Sequence, residues 1–277
     1  MKQRSTKGPP ARPGNGAGAR SAANHVASAA AEGDDARFLA SYDVNAFERP
    51  SVAVDVALVT AAAGELFTLL VRRQAPPQAG RWALPGTFVG MGEALEAAAA
   101  RALATKAALA GVFVEQLYTF GAPGRDPRTR VISVAHYALV DRERFVEAAA
   151  AAGVEAVAMF KLQVPWVGEA GGPARVVDAS GCGHALAFDH ADILGAAIKR
   201  LRGKLNYAPV GFELLGDAFT LLELQRVHEA VLGRPLNKDS FRRRMLASGL
   251  LEPTGQSETN VGHRPALLYR FGGGVAA

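Results

Sequence analysis

Residues 84–111, LPGTFVGMGEALEAAAARALATKAALAG, constrain the fold most, because a glycine-punctuated loop runs straight into a long helix former. Ala, Leu, Glu and Lys dominate its second half and lose little conformational freedom on entering a helix. Upstream, SVAVDVALVTA and ELFTLLVRR are apolar β-type runs separated by the turn-like AAAG, which predicts a hairpin. Downstream, VFVEQLYTF and RVISVAHYALV predict two further strands joined by GAPGRDPRT, and DRERFVEAAAAAG predicts another helix. Strand pair, loop, helix, strand pair, helix is the order of an α/β sandwich. In residues 152–185, Gly171, Gly172 and Gly181 interrupt an apolar, strand-like stretch whose periodicity assigns it no place.

A second unit follows. Asp189 or His190 opens a helix running to about Lys204, with basic residues at its C-terminal end. Thr220 caps LLELQRVHEAVLG, whose Leu221, Leu224, Val227 and Val231 form one apolar stripe. Asn237 caps KDSFRRRMLASGL, with Phe241 and Met245 on one side. LLEPTG and ALLYRF then read as two short strands around a polar loop. Three helices and a β-hairpin are the parts of a winged helix-turn-helix. The predicted fold class is therefore α+β, an α/β/α sandwich over residues 49–190 followed by a linker helix and winged helix-turn-helix over 191–277. Residues 1–48 are Gly-, Ala-, Pro- and Ser-rich without sustained periodicity and read as a mostly disordered basic tail.

The net charge of +5 is unevenly spread along the 277-residue chain, with a basic surplus at both ends. Residues 1–31 hold Lys2, Arg4, Lys7, Arg12 and Arg20 and no acid, and from Lys199 onward twelve Lys and Arg face seven Asp and Glu. That asymmetry is compatible with a polyanion partner, although the basic end of the 190–204 helix equally complements a helix dipole. In a helix-turn-helix the second helix enters the major groove. With Phe241 and Met245 turned inward, Ser240, Arg242 and Arg243 point outward, Arg244 lies nearer the core edge, and Lys238 reaches backbone phosphate. His263 and Arg264 belong to the expected wing. A solvated basic helix of a protein-interaction domain is the bland alternative. No apolar run approaches the roughly 18–20 residues that cross a bilayer, so no membrane partner is expected. Cys182 is the single cysteine, which excludes an intrachain disulfide and a multi-cysteine metal site.

Residues 84–111 resemble the Nudix box of pyrophosphohydrolases. Aligning Glu93 and Arg101 with the box Glu and Arg puts Thr87 at its first glycine and Ala108 at its late one. Ala102, Thr105 and Lys106 then occupy the three glutamate positions that hold divalent metal against a pyrophosphate. Neither alanine nor threonine supplies a carboxylate, and Lys106 adds positive charge. No catalytic residue, metal ligand or cofactor is expected.

From about Arg49 to Phe271 the chain resembles the NrtR family, Nudix-related transcriptional regulators of bacterial NAD metabolism. The resemblance rests on QLYTFGAPGRDPRTRVISVAHYALV, LAFDHADIL, FTLLELQRVHEAVLG, LNKDSFRRRMLASGLLEPTG and RPALLYRF, in that order. It implies a cytoplasmic, nucleoid-associated homodimeric repressor that binds double-stranded operator DNA and is released by ADP-ribose or a related nucleotide. A nucleoside diphosphate needs cations and an aromatic or apolar wall. Arg81 and Arg101 lead as phosphate ligands; Arg72, Arg73, Arg125, Arg128 and Arg130 are further candidates, the last two equally suited to internal ion pairs. Phe88 suits a base or ribose as well as core packing. The 190–204 helix, joining the halves, is the expected transmitter between them. Two alternatives stay open: an ADP-ribose or nucleotide-sugar hydrolase with an added interaction domain, and a regulator of the same architecture serving another pathway.

Overall fold

The structure, a computed structural model, describes residues 33–152, 156–205, 208–259, 262 and 264–273. The chain divides into two compact units, Met1–Arg49 and Pro50–Ala277. In the first, residues 33–41 form a helix (α1). Within the stretch expected to be mostly disordered, Arg37 pairs with Asp34 one turn back, and Phe38 packs on Tyr42 at 5.6 Å between ring centroids; residues 1–32 lie outside the described residues.

The second unit is built on a nine-stranded mixed sheet. Its strands are β1 (Ser51–Ala62), β2 (Glu65–Arg72), β3 (Trp82–Ala83), β4 (Gly86–Phe88), β5 (Glu115–Phe120), β6 (Val131–Leu139), β7 (Val157–Gln163), β8 (Arg175–Val177) and β9 (Gly183–His184). The main order is β5-β6-β1-β2-β7-β8-β9, with β1 parallel to β6 and the other pairings antiparallel. β1 lies centrally, and its alternating side chains serve two different cores. Val54, Val56 and Leu58 face α2 (Leu95–Ala107) and α3 (Arg142–Ala152), meeting Ala98, Leu103 and Phe145. Ala57, Val59 and Ala61 face α4 (His190–Lys204), meeting Ile193, Ile198 and Leu201. This alternation is the physical origin of the α/β/α layering.

The unplaced stretch now has a position. β7 extends the sheet beside β2, the β8–β9 hairpin forms its edge with Gly181 in its turn, and Gly171 and Gly172 run against α4. Gly172, at φ +141°, lets the chain pass so close to Gly195 that an added Cβ there would sit 1.8 Å from the Gly172 carbonyl oxygen.

The 190–204 helix was expected to be a linker and the first helix of the DNA-binding unit. That reading is corrected, because α4 buries Ile193, Leu194, Ala197, Ile198 and Leu201 against the sheet and forms the sandwich's other helical layer. The C-terminal unit instead begins with a 3-10 turn (Phe212–Leu214), then β10 (Phe219–Thr220), α5 (Leu221–Leu232), α6 (Lys238–Ala247), β11 (Leu251–Ser257) and β12 (Leu267–Phe271). β12 lies between β10 and β11 in a three-stranded sheet. Thr220 and Glu223 cap α5 reciprocally, and the Asn237 side chain accepts the Ser240 N–H at the start of α6. Phe212, Phe219, Leu224, Phe241, Met245 and Tyr269 make a small core of its own. α5 is shared: Leu224 enters that core, whereas Val227 and Val231 enter the core beneath α4.

Candidate functional site

Asp55 interrupts the apolar run of β1 and is the acid around which the site is built. It lies on the α4 side of the sheet and accepts a 2.6 Å hydrogen bond from Ser133 Oγ. Arg125 Nη2 approaches it at 3.4 Å, and His190 Nε2 at 3.5 Å. Arg125 is held further by both Asp189 oxygens, at 2.8 and 2.6 Å. Burial works against its charge, but Asp189 and Asp55 together keep its pKa above the ordinary value. His190 Nδ1 accepts the Leu84 N–H at 2.8 Å, so a neutral ring carries its proton on Nε2, toward Asp55. Burial pushes the His190 pKa down, which favours that neutral form.

Above this network opens a cleft of about 530 Å³. Its cations are Arg72, Arg73, Lys106, Arg125 and Arg128, and its aromatic walls are Phe88 and Phe188. The Arg73 guanidinium lies 4.7 Å from the Phe188 ring centre, and that of Arg128 lies 5.2 Å from Phe88. Asp126 grips Arg128 through two nitrogens and raises its pKa, chiefly by that side-chain hydrogen bond. Arg73 shifts the other way, through desolvation and then repulsion from Arg128. Lys106 Nζ hydrogen-bonds the Gly86 carbonyl. Desolvation lowers its pKa, Asp55 opposes that shift, and Arg73 and Arg101 add to it. The cleft thus offers an excess of positive charge between two rings, suited to an anionic ligand with a flat base.

Five sequence candidates line this cleft: Arg72, Arg73, Phe88, Arg125 and Arg128. Arg81, Arg101 and Arg130 lie outside its lining. For Arg101 the reason is plain. Glu93 takes two of its nitrogens, each at 2.7 Å, while Thr87 Oγ1 and the Phe88 carbonyl accept from it at 3.1 and 3.0 Å. Arg101 therefore braces the box loop against α2. Arg81 is exposed, and Arg130 donates to the Ala122 carbonyl. Lys106, read from the sequence as a positive charge at the box, lines the cleft as well, together with Asp55, Phe188 and His190, which the sequence does not single out as cleft residues. The charged interruption of SVAVDVALV was the available signal for Asp55, whereas Phe188 and His190 arrive only through the fold.

The degenerate box positions have other uses here. Ala102 is fully buried, Thr105 Oγ1 donates to the Arg101 carbonyl at 2.7 Å, and Ala108 ends α2 at φ +52°, a conformation suited to glycine. A larger cleft, about 790 Å³, lies between β7 and the end of α5. Its Lys161, Arg202 and Arg234 are matched by Glu65, Glu169 and Glu229, so it offers no excess of positive charge for an anionic ligand.

On α6, Phe241 and Met245 are buried while Lys238, Ser240, Arg242, Arg243 and Arg244 are exposed. Arg244 lies over the Phe241 ring at 5.5 Å. Arg264 is exposed ahead of β12, and His263 lies outside the described residues. α4 connects this unit with the cleft. Its first residue, His190, lines the cleft, and near its other end Arg202 donates to the Val231 carbonyl of α5 at 2.7 Å and to Gly168 at 2.9 Å. The Arg202 guanidinium also lies 4.6 Å from the Trp166 ring centre, and burial alone lowers its pKa.

Comparison with known proteins places both halves. A family model for the NrtR DNA-binding winged helix domain matches residues 211–271, and one for the NUDIX domain matches residues 49–170. The chain is 36% identical over 236 residues to an ADPR responsive transcriptional repressor, NtrR, of Acinetobacter baylyi, covering 84% of this chain and 87% of the relative. It is similar to the crystal structure of Shewanella oneidensis NrtR complexed with a 27mer DNA, at 35% identity and TM-score 0.66, covering 79% of this chain and 93% of that one. A shorter match, 39% identical over 66 residues, is to an ADP-ribose pyrophosphatase of Methanocaldococcus jannaschii and spans 24% of this chain and 39% of the enzyme.

Proposed function

The chain belongs to the NrtR family of transcriptional regulators, and from that premise we propose that it is a DNA-binding repressor relieved by ADP-ribose or a related nucleotide. The observation that carries this reading is the cleft beside the degenerate box, where Lys106 stands in place of a metal-binding carboxylate. A hydrolase of this type needs clustered carboxylates to hold divalent cations against the pyrophosphate. Here an ammonium and guanidinium groups meet the diphosphate directly, and Phe88 and Phe188 provide faces for the base. The domain acts as a sensor without turnover. On α6, Arg242, Arg243 and Ser240 read the operator, with Lys238 and Arg264 on phosphates. The active species is a homodimer, its target genes serve NAD biosynthesis or salvage, and it works in the cytoplasm at the nucleoid.

Relief of DNA binding requires that the nucleotide prefer an arrangement of the two halves that DNA disfavours. α4 is suited to carry that difference, because it lines the cleft at His190 and holds α5 through Arg202. The test titrates ADP-ribose into a complex with labelled promoter DNA, followed by fluorescence anisotropy, with nucleotide consumption measured alongside in Mg²⁺. Specific binding reversed by ADP-ribose without turnover is the expected result. Turnover without specific DNA binding overturns the proposal in favour of a hydrolase.

A further inference from the structure

The turn between β8 and β9 reads Asp178-Ala-Ser-Gly-Cys182-Gly-His184, and its three chemically distinct side chains converge. One carboxylate oxygen, the thiol sulfur and an imidazole nitrogen all lie within 4.8 Å of one another. The turn is well organised for this. The Asp178 N–H bonds the Cys182 carbonyl at 3.0 Å, and Gly181 takes φ +85° to close it. Asp178 Oδ1 accepts from Ser180 N, Ser180 Oγ and Cys182 N at 2.9, 2.6 and 3.0 Å. Those three bonds fix the carboxylate so that Oδ2 faces His184 Nε2 at 2.7 Å. An acidic residue oriented in this way by hydrogen bonds is how proteins aim a metal ligand.

We propose that Asp178, Cys182 and His184 form a three-ligand site for Zn²⁺. Thiolate, imidazole and carboxylate together suit a borderline ion, and three protein ligands with one open position are a common zinc arrangement. A single cysteine does not preclude it, since one thiolate suffices in such a mixed set. A second observation concerns the open position. Asp178 and His184 also edge a cleft of about 430 Å³ walled by Trp82, Met159 and Phe160, so an ion there has room for a water or small ligand. On binding, the Cys182 thiol gives up its proton to solvent, because the thiolate is the form that ligates a metal.

The site has a reason to matter. The chain leaves β9 through Leu186, which bridges to Trp82, and the Ala187 N–H bonds the Trp82 carbonyl at 2.8 Å. Phe188 and His190 of the nucleotide cleft follow directly. A metal ion pinning the β8–β9 turn fixes the start of the segment that carries them. The proposal rests on ligand geometry and stands whether or not the cleft takes ADP-ribose.

The decisive experiment titrates Co²⁺ into the full-length, chelator-stripped protein and follows the thiolate-to-cobalt charge-transfer absorption, then displaces Co²⁺ with Zn²⁺. A single equivalent is expected, with the band lost in Cys182→Ser and in His184→Ala. Ser180→Ala, which removes only an orienting hydrogen bond, weakens affinity about 10–100-fold. Absence of the band in the wild type, or its survival in Cys182→Ser, overturns the site.

Discussion

At the residue scale, the chemistry of the cleft turns on Lys106. Its ammonium sits among Arg73, Arg101 and Asp55 on the side of α2 where the Nudix box places carboxylates. A charge-assisted contact to phosphate is worth about 1.5–3 kcal/mol. Lys106→Ala therefore weakens ADP-ribose binding about 10–100-fold by calorimetry, and the affinity of the wild type stays the same with or without Mg²⁺. Arg101→Ala acts differently. Because Glu93, Thr87 and Phe88 engage the guanidinium, that change loosens the box loop and lowers the melting temperature, and any loss of ligand affinity is secondary. The contrast between the two variants separates a ligand residue from a brace, a distinction the motif alone does not make.

At the scale of elements, α4 and α5 decide how the two halves meet. Gly195 has no room for a side chain, since its Cβ would strike the Gly172 carbonyl at 1.8 Å. Gly195→Ala forces α4 off the β7–β8 connection and costs about 1–3 kcal/mol in urea denaturation. In α5, His228 packs edge-on against Phe241 at 5.1 Å. Burial first, and Arg244 second, push its pKa down to about 4. A histidine whose pKa is lower folded than unfolded takes up more protons when the chain unfolds, so stability rises with pH across that interval. From the unfolded value near 6.5 down to about 4, acidification removes at most about 1.4 kcal/mol per pH unit through this one group. His136 and His190 are shifted in the same direction, again first by burial. Thermal melts between pH 7 and 4.5 should show this slope, and His228→Phe should flatten it.

For the whole molecule, the expectation is reciprocal coupling between DNA and nucleotide. If ADP-ribose weakens operator binding by some factor, operator DNA weakens ADP-ribose binding by the same factor, about 5–150-fold in typical systems. Parallel titrations in which neither ligand changes the affinity for the other would refute the scheme. In the proposed function the arginines of α6 supply the DNA side. Replacing Arg242 and Arg243 by alanine should reduce binding to the nonspecific level, at about 1–3 kcal/mol for each base contact, while circular dichroism stays unchanged. Operator affinity equal to wild type would show that another face binds.

Much of this protein is legible in local chemistry. Apolar β-type runs marked β1, β2 and β6, propensity marked α2, and Thr220 and Asn237 announced α5 and α6, because these signals act within a few residues of one another. The outward set on α6 followed from Phe241 and Met245 at helical spacing. What needed the fold was every choice among similar residues. Eight cleft candidates were nominated by type, yet only the tertiary structure separates Arg73 and Arg128, at the aromatic walls, from Arg101, which is paired with Glu93. It alone brings Phe188 and His190 beside Asp55, over a hundred residues earlier in the chain, and moves α4 from linker to sandwich layer. The reason is physical: hydrophobic pattern and capping are local, whereas the partner of a buried charge is set by which strands and helices the core packs together.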